Sequence, residues 1–228
     1  MPLPFKIFDL THTLTPDIPT WGGDCGFKHT LKVDYSDSPT VVKFRAQALA
    51  LNAGIGTHID APAHCIPSGK CISDLSLNDL ITSCIVIDIS DRAHERYSLA
   101  PEDIEIFESK YGTIPNNAFV ITRTGWDKFW NDPIKYRNNF SFPSISKEAA
   151  ELLLSRNVAG LGIDTLSPDR PTENFVVHQI ILGAGKYLVE NIANASLLPP
   201  IGAYSFTLPM KAKDLTESPI RLVAIKLD

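Results

Sequence analysis

Two imidazoles and one carboxylate fall within seven residues of the run Gly54-Ile55-Gly56-Thr57-His58-Ile59-Asp60-Ala61-Pro62-Ala63-His64. On extended chain His58 and Asp60 are two apart and project from one face, about 6–7 Å apart along the strand. A divalent cation can bridge that span, since each ligand reaches it at about 2 Å. Pro62 cannot donate to a sheet ladder and ends the strand, which lets His64 return toward the same pocket from a loop. An edge strand with surface histidines would carry the same H-x-D spacing. However, the chain has only six His, and two of them sit in this run. A second run, Gly162-Ile163-Asp164-Thr165-Leu166-Ser167-Pro168-Asp169, precedes His178 and, twelve residues later, Glu190. On one continuous helix those two would stand about 18 Å apart, too far to share an ion. Gly183-Ala184-Gly185 breaks such a helix. A helix ending at Leu182 and a strand returning through Tyr187–Glu190 would bring the two together. A capping turn followed by an ordinary surface Glu is the alternative for this segment.

These groups need a scaffold. The chain has 228 residues, 44% hydrophobic and 21% charged, enough apolar side chains for a sizeable core and too few charges for disorder. Its 17 Pro and 13 Gly are spread throughout, without repeats, which suits one loop-rich domain over residues 1–228. Strand-like runs rich in β-branched residues fall at Phe5–Leu10, Val41–Leu51, Cys84–Ile89, Ala118–Arg123, Gly160–Asp164 and Arg221–Lys226. The apolar character of Ile85–Ile89 is that of a strand covered on both faces. Helices are predicted at Pro101–Tyr111, with acidic residues in its first turn, and at Ser146–Arg156, opened by Ser146. Strands interleaved with helices give an α/β class.

Composition excludes several functions. The net charge is −5 and no cluster of Lys and Arg appears, so a nucleic-acid partner is not expected. The longest apolar runs fall far short of the roughly 20 residues of a membrane span. The N-terminus has no secretory pattern. Cys25, Cys65, Cys71 and Cys84 are irregularly spaced and form no C-x-x-C pair, which indicates a reduced, cytoplasmic protein.

The run Gly54–His64 resembles the cyclase-family motif H-x-G-T-H-x-D-x-P-x-H; that family includes arylformamidase (bacterial kynurenine formamidase) and isatin hydrolase. The likeness extends along the chain. Asp9-Leu10-Thr11 resembles the family's opening strand, and Pro19-Thr20-Trp21-Gly22-Gly23-Asp24 its P-x-x-P-G-D loop. Arg123-Thr124-Gly125-Trp126 resembles its R-T-G-W element, Gly162–Asp169 its G-x-D-x-x-S-x-D element, and Ser218-Pro219-Ile220-Arg221 its terminal s-P-x-R strand. The resemblance implies a mixed, barrel-like β-sheet core flanked by helices, in a homodimer or homotetramer. It also implies metal-dependent hydrolysis of an amide, formamide or lactam of a small molecule, with zinc or in some members manganese. His58, Asp60, His178 and Glu190 then become the ligands, with Asp60 bridging where two ions are present. His64 becomes the catalytic histidine, which carries a proton from metal-activated water to the leaving nitrogen.

One position departs from the family pattern. Its first histidine, two residues before G-T-H, is Gly54 here, which leaves that site only His58 and Asp60. Catalytic zinc sites use about three protein ligands, so a single ion held by Asp60, His178 and Glu190 is expected, with His58 as a fourth ligand. Kynurenine formamidase proper, a metal-dependent cyclase or dehydratase, and an inactive metal- or ligand-binding relative remain alternatives. Trp21 and Phe27 are candidate substrate contacts, while Trp126 and Trp130 could line the pocket or the core. His12 and His29 read as surface residues near the pocket loop, and His94 as solvated. On extended chain Cys65 would face away from His64 and form no dyad with it.

Overall fold

The computed structural model describes residues 4–24 and 26–227, so Cys25 lies outside the described residues. Its strands are β1 (Phe5–Asp9), β2 (Phe27–Val33), β3 (Ala46–Leu51), β4 (His58–Asp60), β5 (Ile81–Asp88), β6 (Ser98–Leu99) and β7 (Phe119–Arg123). They continue with β8 (Ser144–Ile145), β9 (Gly160–Ile163), β10 (Tyr187–Glu190), β11 (Ala203–Phe206), β12 (Glu217–Pro219) and β13 (Val223–Leu227). Helices are α1 (Leu77–Leu80), α2 (Pro101–Tyr111), α3 (Pro133–Arg137), α4 (Lys147–Ser155) and α5 (Val176–Gly183).

Nine strands form one mixed sheet, curled into a half-barrel and flanked by helices, in the order β1-β13-β11-β5-β7-β9-β10-β4-β12. Its centre, β5-β7-β9-β10, is parallel. Both flanks are antiparallel, with β11, β13 and β1 on one side and β4 and β12 on the other. Residues Cys84 to Ile87 of β5 are all buried, as their apolar run predicts for a strand sandwiched on both faces. On one face, Ile85, Ile87 and Val120 pack under Ile104 and Phe107 of α2, Leu153 of α4 and Ile181 of α5. On the other, Val86, Phe119, Ile121 and Tyr187 pack with Ile59, Leu222 and Ala224. Pro101 starts α2, and the Asp103 carboxylate accepts the Ala100 N–H at 2.9 Å. Ser146 caps α4 by accepting the Ala149 N–H at 3.1 Å.

The strand predicted at Val41–Leu51 is shorter than its residues suggest: only Ala46–Leu51 is extended in a ladder. The Ser38 hydroxyl donates to the Val42 carbonyl at 3.1 Å and the Lys43 ammonium to the Ser38 carbonyl at 2.9 Å, so a turn takes up that stretch. β3 pairs with β2 in a two-stranded ribbon separate from the main sheet. Leu31, Val33, Leu49 and Leu51 on the ribbon, and Val41, Val42 and Phe44 at its base, are exposed.

Candidate active site

Strand register brings four chemical groups to one face of the sheet edge. In the β10–β4 ladder Glu190 lies opposite His58, and in the β12–β4 ladder Glu217 lies opposite Asp60. Side chains directly opposite in antiparallel strands point to the same face, and positions two apart share it. His58, Asp60, Glu190 and Glu217 therefore converge. The entry to β4 is fixed by Gly56, whose φ of +61° is left-handed and whose missing Cβ leaves room for the Leu14 side chain. The Gly56 carbonyl accepts the Asn191 side-chain N–H at 2.9 Å and sits 2.9 Å from His58 Nδ1. That contact places the proton on Nδ1 and turns Nε2 toward Asp60 Oδ1 and Glu190 Oε2, at 3.5 and 3.4 Å.

The fifth group comes from α5. The Asp169 carboxylate accepts the backbone N–H groups of Val177 and His178, both at 2.9 Å, and lies 2.7 Å from His178 Nδ1. It caps the helix and orients the ring with one side chain, so that His178 Nε2 faces Glu190 Oε1 at 3.5 Å and Asp60 Oδ2 at 3.8 Å. Asp60, His178 and Glu190 turn ligand atoms to within 4.8 Å of one another, and so do His58, Asp60 and Glu217. Asp60 Oδ1 and Glu190 Oε1 are buried with no hydrogen-bond partner. Two orphaned carboxylate oxygens facing imidazole nitrogens make a donor set that fits a divalent cation.

The electrostatics are those of a crowded acidic nest. Burial pushes the Asp60 carboxyl up, and the Glu190 charge adds to that. Burial disfavours charge on His178 and His58, but the surrounding carboxylates outweigh it and hold both imidazoles above their ordinary range. His64 is raised first by its pairing with Glu217, whose carboxyl is lowered by the same pairing. Asp169→Asn should weaken divalent-cation affinity about 10- to 100-fold while circular dichroism stays native. Titration of metal-free protein measures this, and unchanged affinity would mean that Asp169 only caps the helix.

His58, Asp60, His178, Glu190 and Glu217 line a pocket of about 610 Å³ that also takes in Pro19, Trp21, His64, Leu166 and Phe175. Trp21 packs beside Phe140 and Phe175, with ring centroids 4.5 and 5.8 Å away. Phe27, named with Trp21 as a substrate contact, instead packs against the Ile18–Ile55–Tyr136 cluster and is not among the residues lining the pocket. Trp126 and Trp130 are buried in that cluster. Cys65 follows a 3₁₀ turn at Pro62–His64 rather than extended chain, and its thiol donates to the His178 carbonyl at 3.7 Å. His29 and His94 are exposed.

His12 differs from its surface reading. It stacks on Trp130 at 3.8 Å, and its Nε2 is buried without a partner. Burial lowers its pKa to about 4, so it stays neutral when folded at pH 7. Unfolded chain takes up that proton below the ordinary 6.5, so stability falls as pH drops from 6.5 toward 4. His12→Phe keeps the stack and lacks this loss. Between pH 7 and pH 4 the variant should gain about 2 kcal/mol relative to wild type in urea unfolding. A constant difference would refute the assignment.

Glu217 has no place in the ligand set read from the sequence. Its Oε2 lies 3.3 Å from His64 Nδ1, and a Cβ built on Gly54 would collide with its Oε1. Its only signal in the sequence is an acidic residue directly before Ser218-Pro219.

Comparison with known proteins finds relatives along nearly the whole chain. The chain is 30% identical to an isatin hydrolase of Roseibium aggregatum over 96% of its length and 91% of the relative's. It is 26% identical to a kynurenine formamidase of Erythrobacter litoralis, over 92% and 88% of the two chains. The solved isatin hydrolase A of Labrenzia aggregata, bound to benzyl benzoate, superposes with a TM-score of 0.89 at 30% identity, covering 99% of this chain and 95% of that one. A cyclase family model matches residues 8–170, and with that match the chain belongs to the cyclase family as one of its enzymes.

Proposed function

We propose that the protein is a metal-dependent amidohydrolase that opens a formamide- or lactam-like C–N bond of a small molecule. The orphaned oxygens of Asp60 and Glu190, set among imidazoles on the floor of the pocket, carry this reading. Asp60, His178 and Glu190 would hold the cation, with zinc or manganese suited to the His and carboxylate donors and His58 beside them. When bound, the cation supplies a Lewis acid that brings the pKa of water toward about 7 and polarises the substrate carbonyl. His64 moves the protons. Glu217 beside Nδ1 favours the tautomer with its proton there, leaving the Nε2 lone pair as the base. Nε2 takes a proton from the attacking water as its oxygen bonds to the carbonyl carbon, and returns it to the nitrogen as the C–N bond breaks. Trp21, Leu166 and Phe175 offer apolar walls for a planar ring, and Ser167, Asn174 and Gln179 offer polar contacts for its substituents.

Incubating metal-loaded protein with isatin and with N-formylkynurenine in ¹⁸O-labelled water tests this. One labelled oxygen in the acid product is expected. Turnover without label would mean a cyclase or dehydratase, and tight binding without turnover a binding protein.

We also propose a homodimer or homotetramer in the cytoplasm. The β2–β3 ribbon, with Leu31, Val33 and Leu49 in solvent, offers a surface that a second copy would cover. Among the described residues Cys65, Cys71 and Cys84 form no disulfide with one another. A monomeric mass by light scattering would overturn the assembly.

A further inference from the structure

We infer that Glu217 takes the place of an imidazole at position 54 and, with His58 and Asp60, completes a second divalent-cation site that shares Asp60 with the first. This rests on the metal reading above and extends it to two ions per chain. The spatial exchange is direct. A side chain at position 54 would start 3.4 Å from His58 Nε2, and the Glu217 Oε1 atom already occupies that starting point. Gly54 is therefore the vacancy that lets a carboxylate from β12 enter, and the carboxylate supplies the donor that Gly54 lacks. Three atoms, one each from His58, Asp60 and Glu217, lie within 4.8 Å of one another.

An independent observation points into this half of the site. Asp60 is 1% exposed, and its Oδ1 faces His58 Nε2 at 3.5 Å with no hydrogen-bond partner. The other orphan, Glu190 Oε1, lies on the His178 side, 3.5 Å from His178 Nε2. Each ligand group thus has its own unsatisfied acceptor, and Asp60 presents one oxygen to each. Charge agrees. Asp60, Glu190 and Glu217 bring three carboxylates to the pocket, and no Lys or Arg is among the described residues lining it. Three negative charges beside neutral imidazoles exceed what one dication balances. The remaining Glu217 oxygen, beside His64 Nδ1, ties the second site to the proton carrier.

Metal-free full-length protein is titrated with Mn²⁺, and bound ions per chain are counted by calorimetry and elemental analysis. Wild type should take up two ions. Glu217→Gln keeps the shape and should retain one, with the second binding at least 100-fold weaker. A double variant, Gly54→His with Glu217→Gly, exchanges the donor across the same space and should return the count toward two. The paramagnetic resonance of the two-ion form should show coupled Mn²⁺, lost in Glu217→Gln. One ion in both wild type and Glu217→Gln would overturn the second site and leave the first standing. Two ions with unchanged affinity in Glu217→Gln would remove Glu217 as a ligand. No ion in wild type would overturn the metal reading itself.

Discussion

Asp60→Asn is expected to abolish retention of divalent cations and to lower turnover roughly 10³- to 10⁴-fold, while the metal-free variant melts no lower than metal-free wild type. The two expectations come from one fact. Asp60 is buried, its Oδ1 is unpaired, and burial pushes its carboxyl up, so in the absence of a cation its charge is a cost to the fold. The amide removes that cost and with it the anionic oxygens that face His58 and His178. Metal content, kcat and thermal melts of the stripped proteins measure all three quantities. A variant that keeps stoichiometric metal, or that loses turnover only through unfolding, would rule out Asp60 as the central ligand.

His64→Ala should leave metal content intact and lower kcat by about 10² to 10⁴, with a much smaller change in KM. Its ring lies 5.9 Å from that of His178 and is partly open to solvent, so it can exchange protons without acting as a ligand. Pairing with Glu217 raises its pKa above 6.5, and only the neutral imidazole accepts a proton. Activity should therefore climb with pH along a limb centred above 6.5, and that limb should vanish in the alanine variant. Added imidazole should restore part of the rate. Wild-type turnover in His64→Ala would assign the proton work elsewhere.

Much of the site could be read before any coordinates, because period-two spacing places His58 and Asp60 on one face and the Gly183–Gly185 break returns Glu190 to His178. The two-sided burial of β5 was legible from its apolar residues, but the parallel pairing of β5, β7, β9 and β10 was not, because it joins segments distant in the chain. Glu217 was not legible either. It is one of 26 acidic residues, and only the pairing of β12 with β4, a contact between distant parts of the chain, sets it opposite Asp60. Phe27 failed because aromatic character indicates burial but not direction. His12 failed because a loop residue in a polar stretch gives no sign that Trp130 will cover it. Two elements matched for their family likeness do meet in space: the Arg221 guanidinium donates twice to the Asp9 carboxylate, at 2.9 and 2.6 Å.

The donor atoms of this pocket are scattered over β4, α5, β10 and β12, and no continuous stretch of chain carries them all. An ion seated among them would act as a clasp. It would fasten the outermost strand of the sheet to the strand beside it and the helix to both, so its affinity would become part of what keeps that margin closed. Chelators should therefore loosen this side of the molecule first, leaving the parallel strands at its centre intact.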